Sequence, residues 1–455
     1  MAREARSYSP AASPAAVDDQ RPRSVWYVLL TLVAIYAFGH LDRQILSLLV
    51  EPLKHDLSLS DTQVSLLQGF AFALFMAVTG LPIGRLVDTG RRTAIVGAGV
   101  LAWGASTMAC GFASSFYGLM VLRMGVGAGE AVLTPSAHSI IADAAPPRRL
   151  GLAMGIFGIG SYVGAGLAFI FGAFILAGLK QLGPIHLAGF GPFKIWQLVF
   201  LAVGAPALPM ALWALLLPEP RRPARAHAAD HSIQAGLRFF AAHYASVGLV
   251  NMTGGFTVMA LYALSAWYPS FLTRTFHWTA SAAGVGYGLM TMVCGAVGVV
   301  AGGLLGDLVL SKGKASGRVM VMGAMAICAA PFACAAPLMA NPALSLLLIA
   351  PATLLITMGL GLLPAAQQAI APDYLRGSVS ALGTLTVNLV GLGLGPTLVA
   401  LATDNLFHDP AAIGRSLALV LSATLLIAAS CAAACLRPYA RSLASALSPN
   451  PGAPS

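Results

Sequence analysis

The sequence predicts an all-α polytopic membrane protein with twelve transmembrane helices in two six-helix bundles. Of its 455 residues, 58% are hydrophobic and only 9% charged, whereas a soluble globular domain carries about 25% charged residues. Twelve apolar segments are each about long enough to cross a bilayer as a helix; an outer-membrane barrel would show short alternating segments instead. The two halves of the chain also echo each other in their loop motifs.

Residues 1–24, rich in Ala, Pro, Ser and Arg, are too polar for a signal-peptide core and are expected to form a disordered cytosolic tail. The first bundle is expected over 25–217, with segments at about 25–50, 62–87, 93–112, 116–142, 149–177 and 195–217. A Pro/Arg-rich cytosolic linker follows at 218–238. The second bundle is expected over 239–437, with segments at about 240–272, 279–309, 318–338, 343–370, 377–402 and 412–436, and a cytosolic tail at 438–455. The six cysteines lie in apolar runs without CxxC spacing and read as packing residues.

A net charge of +10 in a soluble chain would suggest nucleic-acid binding. Here the basic residues report topology, and no nucleic-acid partner is expected. With both termini inside, 19 Lys and Arg face the cytosol, five lie outside (Lys54, Lys180, Lys194, Arg274, Arg415) and two are embedded (Arg43, Arg123). That bias obeys the positive-inside rule and predicts an integral protein of a bacterial inner membrane with both termini cytoplasmic.

Gly84-Arg-Leu-Val-Asp88 closes the second segment as Gly303-Leu-Leu-Gly-Asp307 closes the eighth, an offset of 219. Pro146-Pro-Arg-Arg-Leu-Gly151 opens the fifth as Pro372-Asp-Tyr-Leu-Arg-Gly377 opens the eleventh, an offset of 226. Repeats in the same sense, with a site between them, are a transporter architecture. No nucleophile–base constellation, metal-ligand spacing or phosphate loop points to an enzyme, an ATP-driven pump or a cofactor.

Gly84-Arg-Leu-Val-Asp88-Thr-Gly90-Arg91-Arg92 resembles the loop signature that follows helix 2 in the major facilitator superfamily, one residue short between Asp and Gly. Leu122-Arg123-Met-Gly-Val-Gly127-Ala-Gly129 is similar to that superfamily's helix 4 signature. Asp42-Arg43, Gly127-Ala-Gly129-Glu130-Ala131 and Gly391-Leu-Gly-Leu-Gly395-Pro396 further resemble the spinster group of lysolipid and sphingolipid transporters, although sugar-acid and drug carriers share parts of the pattern. The resemblance implies the major facilitator fold, alternating access and a central cavity lined by helices 1 and 4; a monomer is expected.

Asp42 and Glu130 are the two carboxylates expected well inside the bilayer, where a charge is costly unless it faces a wet or protein-lined interior. Arg123 and Glu130 stand seven residues apart, hence within about 20° on one helix face. A carboxylate in such a cavity is pushed toward its neutral form, and a neighbouring Arg opposes the push. Drawing Arg43 onto an anionic substrate would let the carboxylate take a proton. Asp42 and Glu130 are therefore the proton-coupling candidates, and Arg43, Glu130, Arg123, Thr384 and Asn388 the substrate-binding ones. A purely structural ion pair remains open for Glu130 and Arg123. His40 and His138 read as packing histidines.

The second half carries only neutral polar groups deep inside, among them Asn251, Tyr262, Gln367, Thr384 and Asn388. One charged wall and one mostly apolar wall suit an anionic amphiphile such as a lysophospholipid or a sphingoid phosphate. The rival substrate is a small organic anion or sugar acid. Asp88, Arg91, Arg92, Asp143, Arg148 and Asp307, at cytosolic helix ends, are the candidate gate.

Overall fold

The computed structural model describes residues 22–146, 149–182, 185–186, 192–220, 233–372 and 375–447. Among them, twelve helices are long and apolar enough to span a membrane. In the first half these are α1 (Val25–Leu48), α2 (Asp61–Gly80), α3 (Arg92–Cys110), α4 (Phe116–Ala144), α5 (Leu152–Gln181) and α6 (Ile195–Leu215). In the second they are α7 (Tyr244–Phe276), α8 (Ala280–Ser311), α9 (Gly317–Leu338), α10 (Pro342–Ile370), α11 (Val379–Phe407) and α12 (Pro410–Ser445). An even number of spans puts the start of α1 and the end of α12 on one face, called here the terminal face. The opposite one is the far face.

Several helix starts on the far face are capped by side chains, which satisfy backbone N–H groups that the helix itself leaves unpaired. Ser60 caps α2 in a capping box with Gln63. Ser115 accepts from the Gly118 N–H at α4, Thr279 from the Ala282 N–H at α8, and Asn341 from two N–H groups at α10. A two-residue antiparallel pairing, Ile185–His186 with Pro192–Phe193, lies between α5 and α6.

Helical structure extends beyond the bounds of the two expected bundles at three places. The helix containing α1 starts at Pro22, a short helix (Ile233–Ala242) lies across the expected linker boundary, and the last helix runs to Leu447. Residues 1–21 of the expected N-tail and 221–232 of the expected linker lie outside the described residues.

The halves meet through α5 against α8 and α2 against α11. Glycine permits the first contact: a Cβ on Gly166 would stand 2.6 Å from the Gly288 carbonyl, and one on Gly288 would stand 2.7 Å from the Gly166 carbonyl. Backbones that close cannot carry side chains between them. In the second contact Gly69 packs against the Leu392 carbonyl, where π-turns at Leu66–Phe70 and Leu389–Gly393 face each other. Gly155 stands eleven residues before Gly166, about 20° from it around α5, yet a Cβ there would meet nothing within 4 Å. The same holds for Gly80 on α2 and Gly303 on α8. The halves are thus closed toward the far face and parted toward the terminal face.

Candidate functional site

Four charged side chains from two helices gather in the first bundle. Asp42 and Arg43 come from α1, and Arg123 and Glu130 from α4. Gly127 brings α4 against the Phe72 carbonyl of α2, and Gly129 brings it against the Trp103 amide of α3. Gly39 leaves room for Glu130 beside α1, since a Cβ there would stand 3.3 Å from Glu130 Oε1.

Arg43 is the hub. Its Nη2 ion-pairs with Glu130 Oε1, its Nη1 donates to the Tyr262 hydroxyl at 2.8 Å, and its guanidinium lies 4.5 Å from the Phe72 ring centroid. Arg123 lies 5.8 Å from the same ring, so the Phe72 ring attracts both cations through its π system. Asp42, 1% exposed, accepts a 2.6 Å hydrogen bond from Thr107 of α3. Arg123 Nε donates to the Leu67 carbonyl at 3.4 Å.

The network is incompletely satisfied. Asp42 Oδ1, Glu130 Oε2, Arg43 Nε and both terminal nitrogens of Arg123 have no hydrogen-bond partner among the described residues. Buried polar atoms are nearly always paired, and leaving them unpaired costs stability. Two carboxylates with a free oxygen each, beside two arginines with free N–H groups, can take up a proton or an oxyanion without first breaking every existing bond.

His40 packs as expected: its Nδ1 meets the Tyr36 carbonyl at 3.1 Å and its Nε2 the Ser161 hydroxyl of α5 at 2.8 Å. His138 stands edge-on to Phe157, with ring centroids 5.5 Å apart. Thr384 is exposed and Asn388 half-buried on α11. The structure does not hydrogen-bond either of them to the Arg43 cluster.

The candidate gate residues sort differently from one another. Arg92, fully buried, ion-pairs with Asp143 and with Glu219 (2.7 Å), and donates to the Ser139 and Pro220 carbonyls. These ties knit the terminal-face ends of α3, α4 and α6 inside one bundle, and among the described residues every bond that Arg92 makes stays within the first half. Burial alone would raise the pKa of Glu219. The Thr93 N–H, the Arg92 guanidinium and the Thr93 hydroxyl outweigh it and hold that carboxyl below its ordinary value. Arg91 is exposed, and Asp307 is an exposed partner of Arg318 at 3.9 Å. The Asp88 side chain and Arg148 lie outside the described residues.

Sequence reasoning missed a clasp between the halves on the far face. Arg274, at the end of α7, donates Nη1 and Nη2 to both oxygens of the fully buried Asp61 at 2.7 and 2.8 Å, and Nε to Glu51 at 2.7 Å. Lys54 also pairs with Asp61. Asp404 of α11 accepts from the Thr62 amide (2.8 Å) and hydroxyl (2.7 Å). These bonds must break before the far face can open. The signal available in the sequence was an acidic residue beginning α2 and a basic one ending α7, which the topology count absorbs without pairing them.

A cavity of about 440 Å³ lies on the far face between Glu51, His55, Lys180 and Trp278, apart from the charge cluster.

Comparison with known proteins agrees with this architecture. The chain is 30% identical over 416 residues to an MFS-type efflux pump of Mycolicibacterium smegmatis, covering 91% of this chain and 93% of that one. It is 23% identical to a probable L-galactonate transporter of Escherichia coli, covering 70% of each. A bacterial homologue of the human lysosomal transporter Spinster, solved inward-facing and unoccupied, superposes with a TM-score of 0.76 and 26% identity, covering 94% of this chain and 100% of that one. Residues 32–396 match the family model of the Major Facilitator Superfamily. With twelve spans, this fold and these relatives, the chain is an integral membrane transporter, not an enzyme, and belongs to the Major Facilitator Superfamily.

Proposed function

We propose that this transporter couples protons to the movement of an anionic amphiphile, such as a lysophospholipid or sphingoid phosphate, by alternating access. The observation that carries the reading is the Arg43–Glu130 ion pair beside the buried, half-satisfied Asp42. An oxyanion on Arg43 competes with Glu130 for the guanidinium. The released Glu130, or the neighbouring Asp42, then gains a proton, because a buried carboxylate that loses its countercharge favours the neutral form. Arg123, also within reach of the Phe72 ring, supplies a second positive charge to the cluster. The terminal face is the cytosolic one, on the 19-to-5 bias of basic residues, in a bacterial inner membrane. All the site's side chains come from one chain, so a monomer suffices.

The amphiphile reading draws on the likeness to Spinster relatives and on the sparse charge of the second half. A second reading, transport of a sugar acid or other small organic anion, is favoured by the likeness to the probable L-galactonate transporter.

The test uses the purified chain in proteoliposomes. Uptake of a lysophospholipid and of D-glucarate is followed with and without an imposed pH gradient, in wild type, Asp42→Asn and Arg43→Ala. Asp42→Asn keeps a hydrogen-bond acceptor for Thr107 and should lose gradient-driven uptake while retaining exchange. Arg43→Ala should lose both. Gradient-driven lysophospholipid uptake intact in Asp42→Asn would refute the coupling role, and uptake of D-glucarate alone would select the second reading.

A further inference from the structure

We propose that Tyr262 is a substrate-positioning residue: its hydroxyl and the Arg43 guanidinium together hold the oxyanion head, so that a bound anion ties the first half to the second. This rests on the reading that Arg43 binds the anion.

Among the described residues, the polar links between the halves are few. Arg274 with Asp61 and Glu51, Thr62 with Asp404, and Gln68 with the Ala266 carbonyl belong to the far-face half of the interface. The Arg43–Tyr262 bond alone among them touches the charge cluster. Its two residues are 219 apart, the same offset that relates Gly84 to Gly303. Arg43 on α1 and Tyr262 on α7 therefore occupy equivalent places in the two repeats and meet where the halves face each other.

The hydrogen-bond inventory shows what the pair can do. The Tyr262 oxygen accepts from Arg43, and its own O–H finds no acceptor among the described residues. Arg43 Nε is also unpartnered. Tyr262 is half-buried, as are Tyr36 and Tyr162, which lie within electrostatic reach of it. A guanidinium and a phenol O–H converging from opposite halves suit a head with at least two oxygens, a carboxylate or a phosphate. A neutral head would exploit neither the charge nor the spare donor.

The experiment titrates the purified full chain with 1-palmitoyl lysophosphatidic acid, D-glucarate and the neutral 1-palmitoyl glycerol, in wild type, Tyr262→Phe, Tyr262→His and Arg43→Ala. Thermal unfolding of each variant is followed alongside. Tyr262→Phe should weaken the oxyanion probe that wild type binds by about tenfold or more, leave the neutral lipid unchanged and unfold near the wild-type temperature. A merely structural tyrosine would instead lower the unfolding temperature without discriminating between heads. Tyr262→His, which restores a ring donor, should bind within a few-fold of wild type. Oxyanion binding within twofold of wild type in Tyr262→Phe, with Arg43→Ala inactive, overturns the inference and leaves the role of Arg43 standing. Failure of Tyr262→His to recover binding also overturns it. Wild-type binding in Arg43→Ala, or no oxyanion binding to wild type, removes the inference together with the reading it rests on.

Discussion

Truncating Arg274 to Ala should move the protein toward a state open on the far face. Arg274 makes every ion pair of the clasp that crosses between the halves, two bonds to Asp61 and one to Glu51. The Glu51 side chain is 48% exposed, and an ion pair that wet contributes little. The bidentate pair with Asp61 is different: the carboxylate is buried, and hydrogen bonds to charged groups are worth about 1.5–3 kcal/mol net. Asp61 keeps Lys54 as a partner from its own half, so the truncation does not strand an unpaired buried charge. Since both groups are hydrated once the far face opens, about 2 kcal/mol of bias toward the closed state is lost, roughly a thirtyfold change in the ratio of states. The assay is a spin-label distance distribution between exposed His55 and exposed Asn405, one on each half, after replacement of the exposed Cys328. Wild type should give one short population and Arg274→Ala a second, longer one. Arg274→Lys, which keeps the charge without the planar fork, should fall between them. An unchanged distribution in Arg274→Ala would refute the view that this clasp holds the far face shut.

Two further perturbations test the first bundle. Gly39→Ala places a Cβ about 3.3 Å from Glu130 Oε1, so the carboxylate must give by a few tenths of an ångström. Uptake should fall modestly in Gly39→Ala and severely in Gly39→Val, measured in proteoliposomes at equal protein. Glu219→Gln should lower stability at pH 7 by about 1 kcal/mol, a value reduced for the partial exposure of the group, as read by thermal unfolding. Because the folded Glu219 carboxyl titrates below its ordinary value, its contribution is full above about pH 4.3 and is lost as pH falls through the lower, folded pKa. The gap between wild type and Glu219→Gln should therefore close in acid. A gap that widens in acid would contradict the assignment.

Much of the site was legible in one dimension. Asp42, Arg43, Arg123 and Glu130 stand out because charges are rare in apolar helices and expensive in a bilayer, and the seven-residue spacing puts Arg123 and Glu130 on one face. Thr107 and Phe72 carry no such signal, since a threonine or a phenylalanine in a membrane helix is ordinary. Tyr262 is visible as a polar group in the second half, but nothing local says that it meets Arg43. Arg92 reads as a topology signal or a gate, and only its partners Asp143 and Glu219 show it to be an internal tie of the first bundle.

By itself the sequence determined the number of helices, their membrane-spanning character and the repeat that pairs α1 with α7. Those properties follow from local hydropathy and from the need of each backbone polar group in a bilayer to find its partner within the same helix. Tertiary structure alone decided which charge meets which. Glu130 lies 87 residues from Arg43 and Asp61 lies 213 from Arg274, separations across which helical periodicity predicts nothing. It also decided the state: Gly166 packed on Gly288 while Gly155 faces open space is a property of how the two bundles lean on each other, which no local stretch of sequence encodes.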